Sequence, residues 1–148
     1  MPMETSTELQ PNNVPKLSVL IVENSRLITA RLRELILTVP GVQLAGAVDT
    51  EADAVASLQR LPVDVVLLDL HLSQGTGFGV LRAIVNGQIG TVVPVVLTSH
   101  ALGEYRRAAA ALGVQHFLDK LQEFDRLPAL LQQIGEHRRG SGRTRDLR

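Results

Sequence analysis

The chain has 148 residues, 45% hydrophobic and 20% charged, with 15 basic residues balanced by 15 acidic ones, the makeup of one globular domain with no room for a second of any size. It has no cysteine, which excludes a disulfide framework, a thiolate metal site and cysteine catalysis, and its longest apolar stretches, such as Val63 to Leu70, are too short to span a membrane. The charge is uneven: residues 138–148 hold five arginines and one aspartate, a local +4 that leaves −4 elsewhere, and a mildly acidic body with four aromatic side chains is not expected to bind nucleic acid.

Residues 1–15 are polar, carry three prolines, and have neither a basic start nor an apolar core. They read as a disordered leader, not a signal peptide, and a cytoplasmic location follows by default. The folded part is expected over residues 16–137. Its first strand is the aliphatic run Leu17–Val22; Ser25 then caps a helix with Ile28, Leu32, Leu35, Ile36 and Val39 on one face, stopped by Pro40-Gly41. A second strand, Val42–Val48, leads to a helix capped by Thr50, with Asp53 in the capping-box position and Val55 and Leu58 facing inward as far as Leu61-Pro62. Val63–Leu70 is the third strand, followed by a helix from Gly77 to Gly87. Val92–Leu97 is the fourth, and the alanine-rich helix Glu104–Leu112 after it ends at Gly113, the residue type that adopts a left-handed cap most cheaply. The fifth pair is Val114–Leu118 and a helix from near Asp125, where Pro128 fits the first turn and Leu127, Leu130, Leu131 and Ile134 form the apolar face. Residues 138–148 are expected to form a flexible basic tail.

Short β-branched strands alternating with helices predict βα units with right-handed crossovers, and strands that are apolar throughout predict a sheet covered on both faces. Five units are too few for an eightfold barrel, which leaves an α/β fold with a doubly wound, five-stranded parallel sheet. Such sheets bind ligands beyond the carboxyl ends of their strands. That rim receives Glu23-Asn24, Asp69, Thr98-Ser99 and Asp119-Lys120 from the first, third, fourth and fifth strands. Carboxylate and amide oxygens suit a hard cation such as Mg²⁺, while lysine and threonine suit a phosphoryl group. Taken singly, Glu23 or Thr98 is as well explained as a strand end. Asp69 is different, because Val66-Leu67-Leu68 before it and Leu70 and Leu72 after it cannot solvate a carboxylate. Gly75-Thr76-Gly77-Phe78-Gly79 has part of a dinucleotide fingerprint, but Val80 falls where the third glycine belongs. His71, His100, His116 and His137 lack metal-ligand spacing.

In order and spacing, Val19–Asn24, Asp64–Leu70, Gly77, Val95–Ser99 and Phe117–Lys120 resemble the receiver domain of bacterial two-component response regulators, over about residues 16–137. The resemblance implies a flavodoxin-like fold with strand order 2-1-3-4-5. It also implies a switch protein, not an enzyme, that accepts a phosphoryl group from a histidine kinase or phosphotransfer protein onto an aspartate in phosphorelay signalling. It places Asp69 at the acceptor position, Glu23 and Asn24 at the Mg²⁺-binding pair, and the His71 carbonyl as a further metal ligand. Thr98 falls at the switch hydroxyl, Phe117 at the switch aromatic, and Lys120 at the lysine that binds phosphoryl oxygens. A downstream protein partner would read the face made by the fourth helix, fifth strand and fifth helix; monomer and homodimer are both left open, and no membrane partner is implied.

Three positions depart from the family pattern. Asn24 replaces the usual second acid, Ser73 stands where a proline commonly follows the acceptor strand, and Leu121 replaces the proline after the lysine, where a trans peptide is expected. The competing function is a phosphorylation-independent pseudo-receiver acting as a protein–protein interaction module. Lys120, as a rim charge, is expected to be removable without disturbing the fold.

Overall fold

In the computed structural model of the chain, residues 16–146 are described, and the expected leader over residues 1–15 lies outside them. Strands and helices alternate: β1 (Leu17–Val22), α1 (Arg26–Leu37), β2 (Val42–Val48), α2 (Glu51–Arg60), β3 (Val65–Leu68), α3 (Gly77–Val85), β4 (Val93–Thr98), α4 (Gly103–Ala111), β5 (His116–Asp119), a 3-10 turn at Phe124–Arg126, and α5 (Leu127–Asp146). Every strand pairing is parallel and the order is β2-β1-β3-β4-β5, the doubly wound 2-1-3-4-5 arrangement that the resemblance implies.

Local chemistry starts the helices where the sequence places them. The Ser25 hydroxyl accepts from the Ile28 N–H at 3.2 Å and the Thr50 hydroxyl from Asp53 at 3.1 Å, each satisfying a donor that the first helical turn leaves unpaired. Thr76 does the same for Gly79 at 3.2 Å. Helix α4 starts at Gly103, one residue before the expected Glu104, and its N-cap Leu102 supplies no side-chain hydrogen bond. Gly113 closes it with φ of 89°, a backbone conformation that costs glycine no Cβ clash.

The pleat distributes the apolar residues to two layers. Leu17, Val19 and Ile21 of β1, with Val65 and Leu67 of β3, pack against Leu32 and Ile36 of α1 and Leu127, Leu131 and Ile134 of α5. Leu20 and Val22, with Val66 and Leu68, pack against Ala54 and Leu58 of α2, Val80 and Leu81 of α3, and Ala109 of α4. Covered strands are therefore apolar at both parities, and truncating a fully buried leucine such as Leu67 to alanine costs about 2–5 kcal/mol.

Several boundaries differ from expectation by a residue or two, and two further differences have a visible cause. The third apolar run is longer than the strand it contains, because Asp64 is engaged at the opposite end of β1: its backbone N–H donates to the Ser18 carbonyl and its carboxylate accepts from the Ser18 N–H, both at 2.8 Å. The domain limit at residue 137 falls inside a helix, since α5 continues through the segment read as a flexible tail to Asp146. No proline interrupts that segment, and Arg138 Nη2 donates to Asp64 Oδ1 at 3.2 Å, which fastens the helix beside the start of β3. Among the described residues, no helix is long and apolar enough to cross a membrane.

Candidate functional site

Parallel register brings the polar strand ends together. Val22 of β1 pairs with Leu68 of β3, so the next residues on each, Glu23 and Asp69, leave the sheet side by side, and the Asp69 N–H still bonds to the Val22 carbonyl at 2.9 Å. Thr98 of β4 pairs with Asp119 of β5, which delivers Lys120 to the same rim, its N–H held by the Thr98 carbonyl at 2.8 Å. The Lys120 side chain crosses β4 and places Nζ 2.8 Å from Glu23 Oε1 and 3.1 Å from Asp69 Oδ2. Glu23, Asp69 and the Lys120 side chain are all nearly excluded from solvent. The expectation that Lys120 is a removable rim charge is thus corrected: it is the buried counter-charge of two carboxylates.

The remaining oxygens are partly satisfied. Glu23 Oε2 accepts from the Ser25 N–H at 2.9 Å, and Asp69 Oδ1 from the His71 N–H at 3.3 Å. Burial dominates at Glu23 and raises its pKa above 4.5, with the Asp69 charge acting in the same direction; Lys120 and the Ser25 N–H oppose it. Two carboxylates against one ammonium leave a net −1 in a nearly buried pocket. That excess fits a divalent cation, as does the His71 carbonyl, on which no hydrogen-bond donor is spent among the described residues. Among those residues no three His, Asp or Glu side chains are grouped to hold a metal ion.

Thr98 is fully buried, and its hydroxyl oxygen accepts from the His100 N–H at 3.1 Å. Among the described residues no hydrogen bond joins that hydroxyl to Asp69 or to Lys120. The rings of His71 and His100 lie 4.2 Å apart on the exposed rim. Phe117 is half-buried, and the Arg106 guanidinium of α4 lies over its ring, 4.6 Å from the centroid, while also approaching Glu123 at 3.9 Å. Glu123 organises the loop that carries Lys120: Oε1 accepts from the Asp119 N–H at 2.8 Å and Oε2 from Arg126 at 2.6 Å. The Asp119 N–H, then Arg126 and Arg106, hold the Glu123 carboxyl below its usual range. The Lys120–Leu121 peptide is trans, and Leu121 is 79% exposed.

Sequence reasoning missed two arrangements here. Ser73 joins Asn24 and Asp49 across loops, with Oγ 2.8 Å from Asn24 Oδ1 and 3.2 Å from Asp49 Oδ2. Glu51 lies against the glycine-rich turn, its Oε1 accepting from the Thr76 N–H at 3.0 Å, and a Cβ built on Gly79 would stand 2.1 Å from its other oxygen. The glycines of the partial fingerprint thus admit an internal carboxylate to the α3 N-terminus, where a dinucleotide would put its phosphates. The visible signal was Gly79 itself, since a bare backbone in a helix's first turn marks a close approach.

A doubly wound sheet with acids and a lysine converging at the carboxyl rim defines a flavodoxin-like domain of the signalling kind. The family model described as the response regulator receiver domain matches residues 19–132, and the chain belongs to that family. It is 29% identical over 107 residues to the protein-glutamate methylesterase/protein-glutamine glutaminase 5 of Myxococcus xanthus, a match that takes in 72% of this chain and only 31% of that protein. Among solved structures, the response regulatory domain of protein mrkE from Klebsiella pneumoniae is 26% identical, with TM-score 0.71, and the match covers 81% of this chain and 96% of that one. The signal receiver domain of an HD domain-containing protein from Pseudomonas fluorescens is 25% identical, with TM-score 0.73 and coverages of 84% and 98%. Receiver domains are the signalling switches of two-component systems, and they work through a kinase or an effector.

Proposed function

We propose that the chain is a phosphoacceptor switch of a phosphorelay, with Asp69 taking a phosphoryl group from the phosphohistidine of a histidine kinase or phosphotransfer protein. An Asp69 carboxylate oxygen forms the new bond to phosphorus, the phosphorus–nitrogen bond of the donor breaks, and the donor imidazole leaves with that electron pair. The observation that carries this reading is Asp69 itself, a carboxylate only 7% exposed at the end of a central strand, with the Lys120 ammonium 3.1 Å away. Glu23, Asp69, the Asn24 amide oxygen and the His71 carbonyl are the groups that would hold Mg²⁺, which when bound neutralises charge on the transferring oxygens. Lys120 then pairs with the phosphoryl oxygens in place of the free carboxylate. Thr98 donates its hydroxyl proton to one of those oxygens, and Phe117 turns into the space it vacates. Arg106 releases the ring as this happens, so a partner protein reads the change on the face of α4, β5 and α5. The protein is cytoplasmic and acts as a switch, catalysing at most its own phosphorylation and dephosphorylation.

Mass spectrometry after incubation with a small phosphodonor and Mg²⁺ tests the proposal. One added phosphoryl mass is expected, and none in Asp69→Asn. Absence of the added mass from the parent chain would favour the phosphorylation-independent interaction module, the reading that Asn24 in place of a second acid supports; persistence in the variant would move the acceptor elsewhere.

A further inference from the structure

Asn24, Ser73 and Asp49 come from three different loops and meet at one point on the rim. Ser73 Oγ is 2.8 Å from Asn24 Oδ1 and 3.2 Å from Asp49 Oδ2. The Ser73 backbone N–H is also bonded to the Asp49 carbonyl at 2.9 Å, so hydroxyl and carboxylate are kept together. A hydroxyl has one proton to give, whereas an amide oxygen and an ionised carboxylate can only accept. The charge-assisted bond is the stronger of the two, so the proton goes to Asp49 and a Ser73 lone pair faces Asn24. The two ends of a side-chain amide have the same shape, and only the NH₂ end can donate to that lone pair.

We propose that Asp49 fixes Ser73 as an acceptor and thereby turns the Asn24 amide end for end, with its N–H on Ser73 and its carbonyl oxygen left free for the cation held by Glu23 and Asp69. Asp49 and Ser73 are positioning residues that select the metal-ligating end of Asn24. Two departures from the family pattern then form one device: a neutral amide needs its oxygen end chosen for it, and a serine, unlike a proline, has the hydroxyl to make the choice. An aspartate at position 24 would need no such selection, since both ends of its side chain are oxygens. The inference rests on the reading of this pocket as a divalent-cation site.

Calorimetric titration of the full chain with MgCl₂ tests it. Asp49→Asn puts a donor beside Ser73, releases the hydroxyl proton to the Asn24 oxygen, and is expected to weaken Mg²⁺ binding about three- to fivefold, the factor that one modest net hydrogen bond is worth. In the Asn24→Asp background the same change is expected to alter affinity by less than about twofold, because either oxygen serves. All three residues are exposed, so the variants keep the fold. The Asn24 side-chain NH₂ signals, followed by nitrogen-15 NMR without metal, are expected to shift in Asp49→Asn. Unchanged Mg²⁺ affinity in Asp49→Asn overturns the proposal, and so does a loss that persists undiminished in the Asn24→Asp background, which would be a plain charge effect. Both outcomes leave the cation site standing, whereas the absence of any Mg²⁺ binding in the parent chain overturns the site and the proposal together.

Discussion

Lys120 Nζ stands 3.1 Å from Asp69 Oδ2, an ammonium from the edge strand β5 neutralising a carboxylate at the end of the central strand β3. The same ammonium serves Glu23, so Lys120→Ala leaves two nearly buried carboxylates without a counter-charge. A stability loss of about 1–3 kcal/mol is expected near neutral pH, at or below the cost of breaking a fully buried pair because the site opens to solvent on one side. The pH dependence has a definite sign. Burial already raises the Glu23 pKa above 4.5, and a carboxyl with a raised folded-state value favours folding below 4.5 and loses that contribution as pH climbs through the raised value. Denaturant melts of the variant are therefore expected to approach the parent in acid and to diverge from it at pH 8; equal stability at pH 8 would mean the ammonium is not needed there.

Gly77→Ala is expected to destabilise the chain by about 2–3 kcal/mol, in the range of an overpacked core. A Cβ at position 77 would lie 2.4 Å from the Asp69 carbonyl oxygen and 3.0 Å from the Leu70 Cα, and backbone cannot swing aside as a side chain can. The displacement falls on Asp69 itself, so amide exchange of the segment 69–77 should rise beyond what the melting temperature alone accounts for.

His116, on the edge strand β5 above Leu130 and Gln133, is held below its ordinary pKa of 6.5 by burial. A histidine with a depressed folded-state pKa contributes stability that is complete above 6.5 and is lost as pH falls through the depressed value. His116→Gln is expected to flatten the stability profile across that interval, measured as melting temperature against pH from 7.5 downward. An unchanged slope would assign the acid sensitivity to other groups.

Asn24→Asp adds a third acid to Glu23 and Asp69. Tighter Mg²⁺ binding is expected, by about 1–2 kcal/mol or roughly tenfold, after carboxylate repulsion is set against the added attraction. Without the metal the variant should melt lower than the parent, since Asp49 also lies close by through Ser73. The chain has no tryptophan to report binding, which makes calorimetry the suitable measurement.

The rim was legible because it depends on short-range pattern. An aliphatic run ending in a polar residue fixes both a strand and its carboxyl end, and parallel pairing alone then sets Glu23 beside Asp69 and Lys120 beyond Thr98. The sheet order came with the family resemblance, and the caps at Ser25 and Thr50 were readable three residues at a time. What escaped depends on contacts between distant segments. Nothing local to Arg138 announces Asp64, 74 residues away, so the pattern alone puts a tail where α5 continues. Nothing in the Leu118-Asp119-Lys120 stretch reports that the lysine side chain is buried between Glu23 and Asp69, so the pattern alone gives a rim charge that can be removed. The Asn24–Ser73–Asp49 junction escaped for the same reason, three exposed polar residues being ordinary until the loops that bear them are brought together.

The carboxylate of Glu51 at the first turn of α3 gives this domain an anion of its own. Helix N-termini attract phosphate and other oxyanions indiscriminately. The Thr76 N–H is committed to Glu51, so a carboxylate of the chain itself occupies the start of that helix, only a few residues past Asp69. The glycine at 79 is what keeps the arrangement in place, since any side chain there displaces the carboxylate. Positions 51 and 79 therefore act as a pair: a side chain at 79 or the loss of the carboxylate at 51 would uncover the start of α3 a few residues past Asp69, the acceptor in the proposed reading.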